Sequence, residues 1–248
     1  MKKIGLLLVC FLLLFSGCSK PSDCIESAGN PKTKVFDVSQ SFFDKVIVYK
    51  GIALVITEGP IYKVEVKTGE NLIDNIAVKV ENGLLSIKDN TTCNWVREYG
   101  VTTVYVTAPN LTEIHSKTEQ DIVSNGVLTY PILRLFSIDL TDGAGTNDFK
   151  IQVDNNELVI GNNNVSRYYI SGKTDNLVVG FYGGNGRFEG AGLAAKSINV
   201  YHRGYNDVIV NPIEKIEGEI VSTGNLILKN TPPVNTVKEL FRGRIIYN

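Results

Sequence analysis

The chain has 248 residues, and its 25 lysine and arginine side chains nearly balance 26 aspartates and glutamates, for a formal net charge of −1. This balance argues against a strongly basic nucleic-acid-binding protein and against an acidic disordered tail. Hydrophobic residues make up 43% of the chain, which is enough to bury a sizeable core. Glycine is frequent, with 23 residues, and only two histidines occur, so we expect many tight turns and little histidine chemistry.

The N-terminus carries the features of a bacterial lipoprotein signal. Two lysines precede an apolar run over residues 4–15, which is too short to span a bilayer. Residues 15–18 read Phe-Ser-Gly-Cys and resemble a lipobox, in which the peptide is cut before the cysteine that carries the lipid. We therefore expect residues 1–17 to be a signal peptide and Cys18 to be lipidated. An ordinary signal peptide cleaved nearby is the alternative.

The segment after the cleavage site has the composition of a linker. Residues 18–34 are expected to form a lipidated tether, followed by a single folded domain over residues 35–248. The membrane is then a partner of the chain, through the lipid on Cys18. Because Ser19 rather than an aspartate follows Cys18, we expect an outer-membrane location in the cell envelope. Both a periplasmic and a surface orientation stay open.

Two cysteines remain in the body of the exported chain, Cys24 and Cys93. An even pair in an oxidising compartment predicts one disulfide, which would close a loop of about 70 residues. Two unpaired thiols are the alternative. A metal site is not expected at these cysteines, because His115 and His202 do not complete any ligand spacing typical of zinc.

From residue 35 onward, apolar and polar residues alternate with the period of two that is typical of β-strands. Residues 71–74 offer at most one helical turn. The chain is therefore predicted to be all-β. Strands are predicted in its first half at residues 46–49, 52–56, 62–67, 76–80, 84–88 and 102–107.

The second half adds a longer regularity. Apolar strand cores recur at intervals of about 20 residues, separated by turns rich in glycine and asparagine. A single coil of this size cannot bury its apolar side alone, so this period predicts a β-helix-like solenoid of stacked short strands. A large β-sandwich is the alternative. The predicted cores contain Leu135, Leu158, Leu177, Ile198 and Ile216.

Three segments resemble a known family: Asn-Trp at 94–95, the glycine-rich residues 181–193, and residues 203–212. Together with the lipobox, they are similar to the "putative auto-transporter adhesin, head GIN domain" proteins, which are exported or lipid-anchored proteins frequent in Bacteroidetes. The resemblance covers residues 36–248. It implies a right-handed parallel β-helix-like fold of short stacked strands, and an adhesin-like role.

Catalysis is not expected. His202 could act as a base with Asp207 as its orienter, but no serine or cysteine nucleophile has a matching context. We interpret His202 as a solvent-facing residue at the end of a strand. The acidic loop with Asp139, Asp142 and Asp148 is a weak calcium candidate and a weak glycosidase candidate, because its spacing matches neither an EF-hand nor a β-roll. We expect no metal and no cofactor.

Aromatic side chains on the strands could form a recognition face by stacking. The function hypothesis is therefore a non-catalytic adhesion or ligand-binding module, with a glycan or a protein as its ligand and no role in nucleic-acid binding. A polysaccharide-active β-helix enzyme and a purely structural envelope component are the alternatives. The candidate aromatic residues are Trp95, Tyr99, Tyr105, Tyr168, Tyr169, Tyr182, Tyr201 and Tyr205.

Overall fold

The computed structural model describes residues 24–248, apart from residues 92, 97, 99, 139–142 and 144. Within the described residues the regular structure consists of strands and a single 3-10 turn at Ile73–Asn75. The strands are β1 (Pro31–Phe36), β2 (Lys45–Tyr49), β3 (Ile52–Glu58), β4 (Lys63–Gly69), β5 (Ile76–Glu81), β6 (Leu84–Asp89), β7 (Thr102–Ala108), β8 (Glu113–Lys117), β9 (Ile122–Leu128), β10 (Ile132–Ser137), β11 (Asp148–Asn162), β12 (Arg167–Phe181), β13 (Arg187–His202), β14 (Val208–Ile220), β15 (Leu226–Leu228), β16 (Val234–Glu239) and β17 (Ile245–Tyr247).

The strands stack in parallel into a β-solenoid with two faces, which confirms the predicted all-β solenoid. Face A contains, in spatial order, β6, β2, β8, β10, the C-terminal halves of β11 to β14, and β16. Face B contains β7, β3, β9, the N-terminal halves of β11 to β14, β15 and β17. The β-sandwich alternative is wrong, because sandwiches are built from antiparallel neighbours.

Four long strands carry the chain from face B to face A without a break. In β11, for example, Phe149 pairs with Ile122 on face B, whereas Leu158 pairs with Leu133 on face A. The bend lies near Asn155, whose side-chain amide donates to the carbonyl of Glu157 and so satisfies the backbone at the corner.

The predicted period matches the register of the inner columns from β11 onward. Leu158, Leu177, Ile198 and Ile216 lie directly over one another, and all four are buried. Burial of each such side chain stabilises the fold by roughly 1.5–3 kcal/mol. The first predicted interval, from Leu135 to Leu158, is wrong. Leu158 pairs with Leu133 instead, because the connection after β10 is longer than the later turns.

The N-terminal coils stack out of sequence order. β2 and β3 lie against β8 and β9, which come 68 residues later in the pairs Val46–Ile114 and Leu54–Ile122. On their other side they pair with β6 and β7. Antiparallel strands then cover this end of the solenoid: β5 pairs with β6, and β4 pairs with both β7 and β1.

The disulfide between Cys24 and Cys93 is present, as predicted, with a Cα–Cα distance of 4.6 Å, and Cys24 is buried. Strand β1 begins at Pro31, where it pairs with Gly69 of β4. Residues 31–34 of the predicted tether therefore belong to the sheet. The side chains of this polar segment are exposed, and backbone pairing with β4 holds it in place.

The last coil has polar side chains in the inner columns. Asn235 and Glu239 stand over the buried Ile216 and Ile220 of β14. Asn235 donates to the hydroxyl of Tyr247 at 3.0 Å and accepts the Val237 amide at 3.1 Å, while Glu239 accepts the Ile245 amide at 2.8 Å. These bonds occupy N–H groups that an open sheet edge would otherwise present.

Candidate binding face

Aromatic residues from neighbouring coils share one column on the solvent side of face A. Strand pairing aligns His115 of β8 with Phe136 of β10, and it places two glycines between Phe136 and Tyr201 of β13. Tyr182, directly after β12, folds back over the second glycine. We call this surface the aromatic band; it consists of His115, Phe136, Gly161, Gly180, Tyr182 and Tyr201.

The two glycines form the floor under the aromatic rings. A Cβ at Gly161 would lie 2.7 Å from Cδ1 of Phe136, and a Cβ at Gly180 would lie 2.5 Å from the hydroxyl of Tyr182. Neither glycine has a positive φ. Glycine is therefore needed at both positions for the close approach of a ring, and not for an unusual backbone conformation.

The rings contact one another along the column. The His115 and Phe136 rings meet edge to face with centroids 5.1 Å apart, and the Tyr182 and Tyr201 rings are 5.9 Å apart with an interplanar angle of 32°. Tyr182 is 52% exposed and Tyr201 is 37% exposed. The aromatic band crosses five strands, a length of roughly 19 Å at the usual strand spacing.

Polar residues surround the aromatic band. Glu113 Oε1 accepts a hydrogen bond from His115 Nε2 at 2.7 Å, and Glu219 follows Tyr201 in the same column. The half-buried Val159 and Val178 lie in the neighbouring outer column of face A. This arrangement offers flat apolar stacking surfaces with hydrogen-bonding groups at the rim, which suits binding.

The structure separates the aromatic residues that the sequence proposed as one group. It brings together only Tyr182 and Tyr201, with Tyr205 exposed in the turn after β13. Tyr168 is fully buried in a stack with Phe149, at 4.6 Å between centroids. The others lie elsewhere: Tyr105 and Tyr169 on face B, and Trp95 beside the disulfide, while Tyr99 lies outside the described residues.

Ion pairs between neighbouring coils hold Asp121 and Asp148 on face B. Asp148 accepts a hydrogen bond from Arg167 at 2.7 Å, and Lys150 lies 3.8 Å from the same carboxylate. The hydrogen bond from Lys150 to Asp121 is the main cause of the raised pKa of Lys150. Asp148 is thus part of a charge ladder, and such exposed pairs contribute little stability.

The structure describes only part of the predicted acidic loop. Asp139 and Asp142 lie outside the described residues, and Asp148 is paired as above. Among residues 24–248 as far as they are described, no group of three or more histidine, cysteine or acidic side chains is arranged to hold a metal.

His202 is fully buried, so the prediction of a solvent-facing histidine is wrong. Its ring packs edge-on against Phe181 at 6.1 Å, and its Nδ1 accepts the Gly204 amide at 3.4 Å. Nε2 has no hydrogen-bond partner among the described residues. Burial lowers the pKa of His202 below its ordinary value, while the Asn206 backbone and the Asp207 carboxylate act in the opposite direction.

The buried imidazole predicts an acid-sensitive step in stability. Above about pH 6.5 His202 is neutral in both the folded and the unfolded chain. Below that pH the unfolded chain binds a proton before the folded chain does. The free energy of unfolding therefore falls by up to about 1.4 kcal/mol per pH unit, until the pH reaches the pKa of His202 in the folded chain. His202→Leu should remove this component. Urea unfolding at pH 7.5, 6 and 5 measures it, and parallel pH profiles of the two proteins would contradict it.

A family model, "Putative auto-transporter adhesin, head GIN domain", matches residues 42–232. The chain belongs to this family. The resemblance inferred from the sequence is thereby confirmed. No curated protein sequence matches the chain.

Three solved structures share the fold of this family member. A putative adhesin from Bacteroides fragilis NCTC 9343 is 17% identical, with a TM-score of 0.77 over 90% of this chain and 100% of its own. A putative adhesin from Parabacteroides merdae ATCC 43184 is 15% identical, with a TM-score of 0.63 over 90% and 98%. A putative lipid binding protein from Parabacteroides distasonis ATCC 8503 is 16% identical, with a TM-score of 0.60 over 88% and 97%.

The described residues contain no helix that is long and apolar enough to cross a bilayer.

Proposed function

We propose that this chain is a lipid-anchored protein of the cell envelope that binds an extended glycan along the aromatic band and performs no chemistry on it. The observation that carries the proposal is the exposed pair of Tyr182 and Tyr201 above a glycine floor. Membership of an adhesin family supports a binding role. The two carboxylates at the aromatic band, Glu113 on β8 and Glu219 on β14, lie at its opposite ends, five strand spacings or roughly 24 Å apart, which is farther than the roughly 5–9.5 Å between the two carboxyl groups of a glycosidase and supports the non-catalytic part.

A glycan fits the aromatic band better than a protein segment does. Sugar rings present flat C–H faces that stack on aromatic rings, whereas their hydroxyls need polar partners at the edge of the site. The aromatic band provides both, since Glu113 and Glu219 flank its rings. Its length of roughly 19 Å accommodates several linked sugars in a row.

The anchor follows from the sequence. We infer that residues 1–17 are removed and that Cys18 carries the lipid, which holds the chain at the outer membrane of a Bacteroidetes-type envelope. Replacement of Cys18 by serine should release the chain from the membrane fraction. Protease accessibility on whole cells tests the orientation: a surface orientation supports adhesion, and a periplasmic one opposes it.

The glycan proposal is tested with a glycan array and the mature chain. Tyr182→Ala with Tyr201→Ala should weaken binding roughly 5- to 150-fold, since each stacked ring contributes about 0.5–1.5 kcal/mol. The matched control is Tyr105→Ala with Tyr169→Ala on face B, where both rings are exposed to a similar extent as Tyr201. The control should bind normally.

Three results would contradict the proposal. Equal losses of glycan binding in both double variants would show that face A is not the binding site. A mature chain that binds proteins but no glycan would exclude a glycan as the ligand. Release of new sugar ends from a bound glycan would show that the chain is an enzyme.

A further inference from the structure

Three exposed large apolar side chains lie beside the disulfide. Trp95 is 74% exposed, Val96 58% and Ile25 62%. The Trp95 amide donates to the carbonyl of Cys24 at 2.9 Å, which holds the backbone of Trp95 next to that of Ile25. We call these three residues the tryptophan patch.

The disulfide keeps the tryptophan patch close to the predicted lipid. Cys24 follows Cys18 by six positions, and an extended chain of that length reaches at most roughly 22 Å. Without the disulfide, the first residues held to the body of the domain are Ser27 and Ala28, whose carbonyls accept hydrogen bonds from Asn71. The free length from Cys18 would then be nine residues, or up to roughly 32 Å. The disulfide thus shortens by about a third the distance by which this end can leave the membrane.

We propose that the tryptophan patch rests on the lipid surface of the membrane in which Cys18 is anchored. This proposal depends on the lipid anchor of the proposed function. Tryptophan prefers the region between lipid headgroups and acyl chains, because its ring is apolar and its N–H is polar. Val96 and Ile25 add apolar area that would otherwise face water.

The charges beside the tryptophan patch set the type of contact. Glu26, Arg97 and Glu98 are its charged neighbours in sequence, and their net charge is −1. A contact by electrostatic attraction to anionic lipids would need an excess of basic residues there instead. The contact is therefore apolar and interfacial, and it should change little with salt or with the fraction of anionic lipid.

The tryptophan patch also sets which end of the solenoid faces the membrane. Residues 24–25 and 93–96 lie at the end covered by the antiparallel strands, where β6 and β7 form the outermost parallel coil. The aromatic band begins two strands further along face A, at β8, and continues away from this end. Contact at the tryptophan patch therefore leaves the aromatic band free for a ligand.

Trp95 is the one tryptophan of the chain, so its fluorescence reports on the tryptophan patch alone. The mature chain is coupled through Cys18 to a maleimide phospholipid in phosphatidylcholine vesicles, which tests the contact whether or not cells lipidate Cys18. We expect emission at shorter wavelength than in buffer, quenching by brominated lipid, and at least about a twofold drop in quenching by acrylamide. Ile25→Ser with Val96→Ser, which keeps the reporter, should reduce all three effects.

Trp95 that stays as accessible to acrylamide on vesicles as in buffer would overturn the proposal. So would a contact that disappears at high salt. Fatty-acid labelling of Cys18 in cells tests the lipid anchor separately, and absence of label would refute the anchor of the proposed function. The vesicle experiment tests only the contact between the tryptophan patch and the lipid.

Discussion

Replacement of Gly172 by alanine is expected to destabilise the solenoid by at least about 3 kcal/mol. Gly172 has φ +106°, a conformation that side-chain-bearing residues rarely adopt. A Cβ at this position would also overlap the carbonyl oxygen of Val153 on the neighbouring coil. Both penalties fall on backbone atoms in the middle of the sheet, where no side-chain rotation relieves them.

Substitutions at two other glycines distinguish the cost of the positive φ from the cost of the Cβ overlap. Gly126 has φ +94° with nothing within 4 Å of its Cβ position, so Gly126→Ala should cost about 1–2 kcal/mol. Gly183 has neither a positive φ nor a neighbour within 4 Å, so Gly183→Ala should stay within about 0.5 kcal/mol of the unchanged chain. Urea unfolding measures all three variants. Equal losses in Gly172→Ala and Gly126→Ala would contradict the overlap with Val153.

Removal of the disulfide by Cys24→Ala with Cys93→Ala is expected to reduce the free energy of unfolding by about 2–4 kcal/mol. The bond joins residues 69 apart in sequence, and a cross-link over such a loop removes much conformational freedom from the unfolded chain. It also joins two segments that lie outside the strands, residues 24–30 and the link between β6 and β7.

Hydrogen exchange locates the effect of the disulfide. Protection should fall in residues 24–36 and 89–101 and stay unchanged from β11 to β14, whose coils hold one another by strand pairing. Cys18→Ser is the control, since Cys18 takes no part in this bond, and it should leave both stability and exchange unchanged. Uniform loss of protection along the solenoid would show that the chain unfolds as one unit and contradict the local role.

The sequence predicts the C-terminal coils well because their inner residues repeat. Leu158, Leu177, Ile198 and Ile216 are both periodic and apolar, so the pattern alone places them in one column. The same alternation extends from Ile198 and Val200 to His202 and indicates an inward position. The polar imidazole favours an exposed position, but the alternation of the strand places it inside, so the prediction of an exposed histidine is wrong.

The aromatic band could not be predicted from the sequence. His115, Phe136 and Tyr201 lie on three strands, and they share a column only after each turn length has fixed the register. The folding of Tyr182 over Gly180 also depends on that register. The position of Asp148 in an ion pair depends in the same way on Arg167 of the next coil.

The out-of-order stacking of β2 and β3 has a consequence for how the protein acquires its structure. A chain is made from its N-terminus, so these two strands appear first, yet β8 and β9 follow 68 residues later. Each coil from β11 onward finds its partner after about 20 residues, which lowers the entropy lost in loop closure by about 1 kcal/mol per contact relative to 68 residues. The first strands to be synthesised therefore have no parallel partner until β8 and β9 have been made. Their apolar faces need protection until residue 128, the end of β9, has left the ribosome.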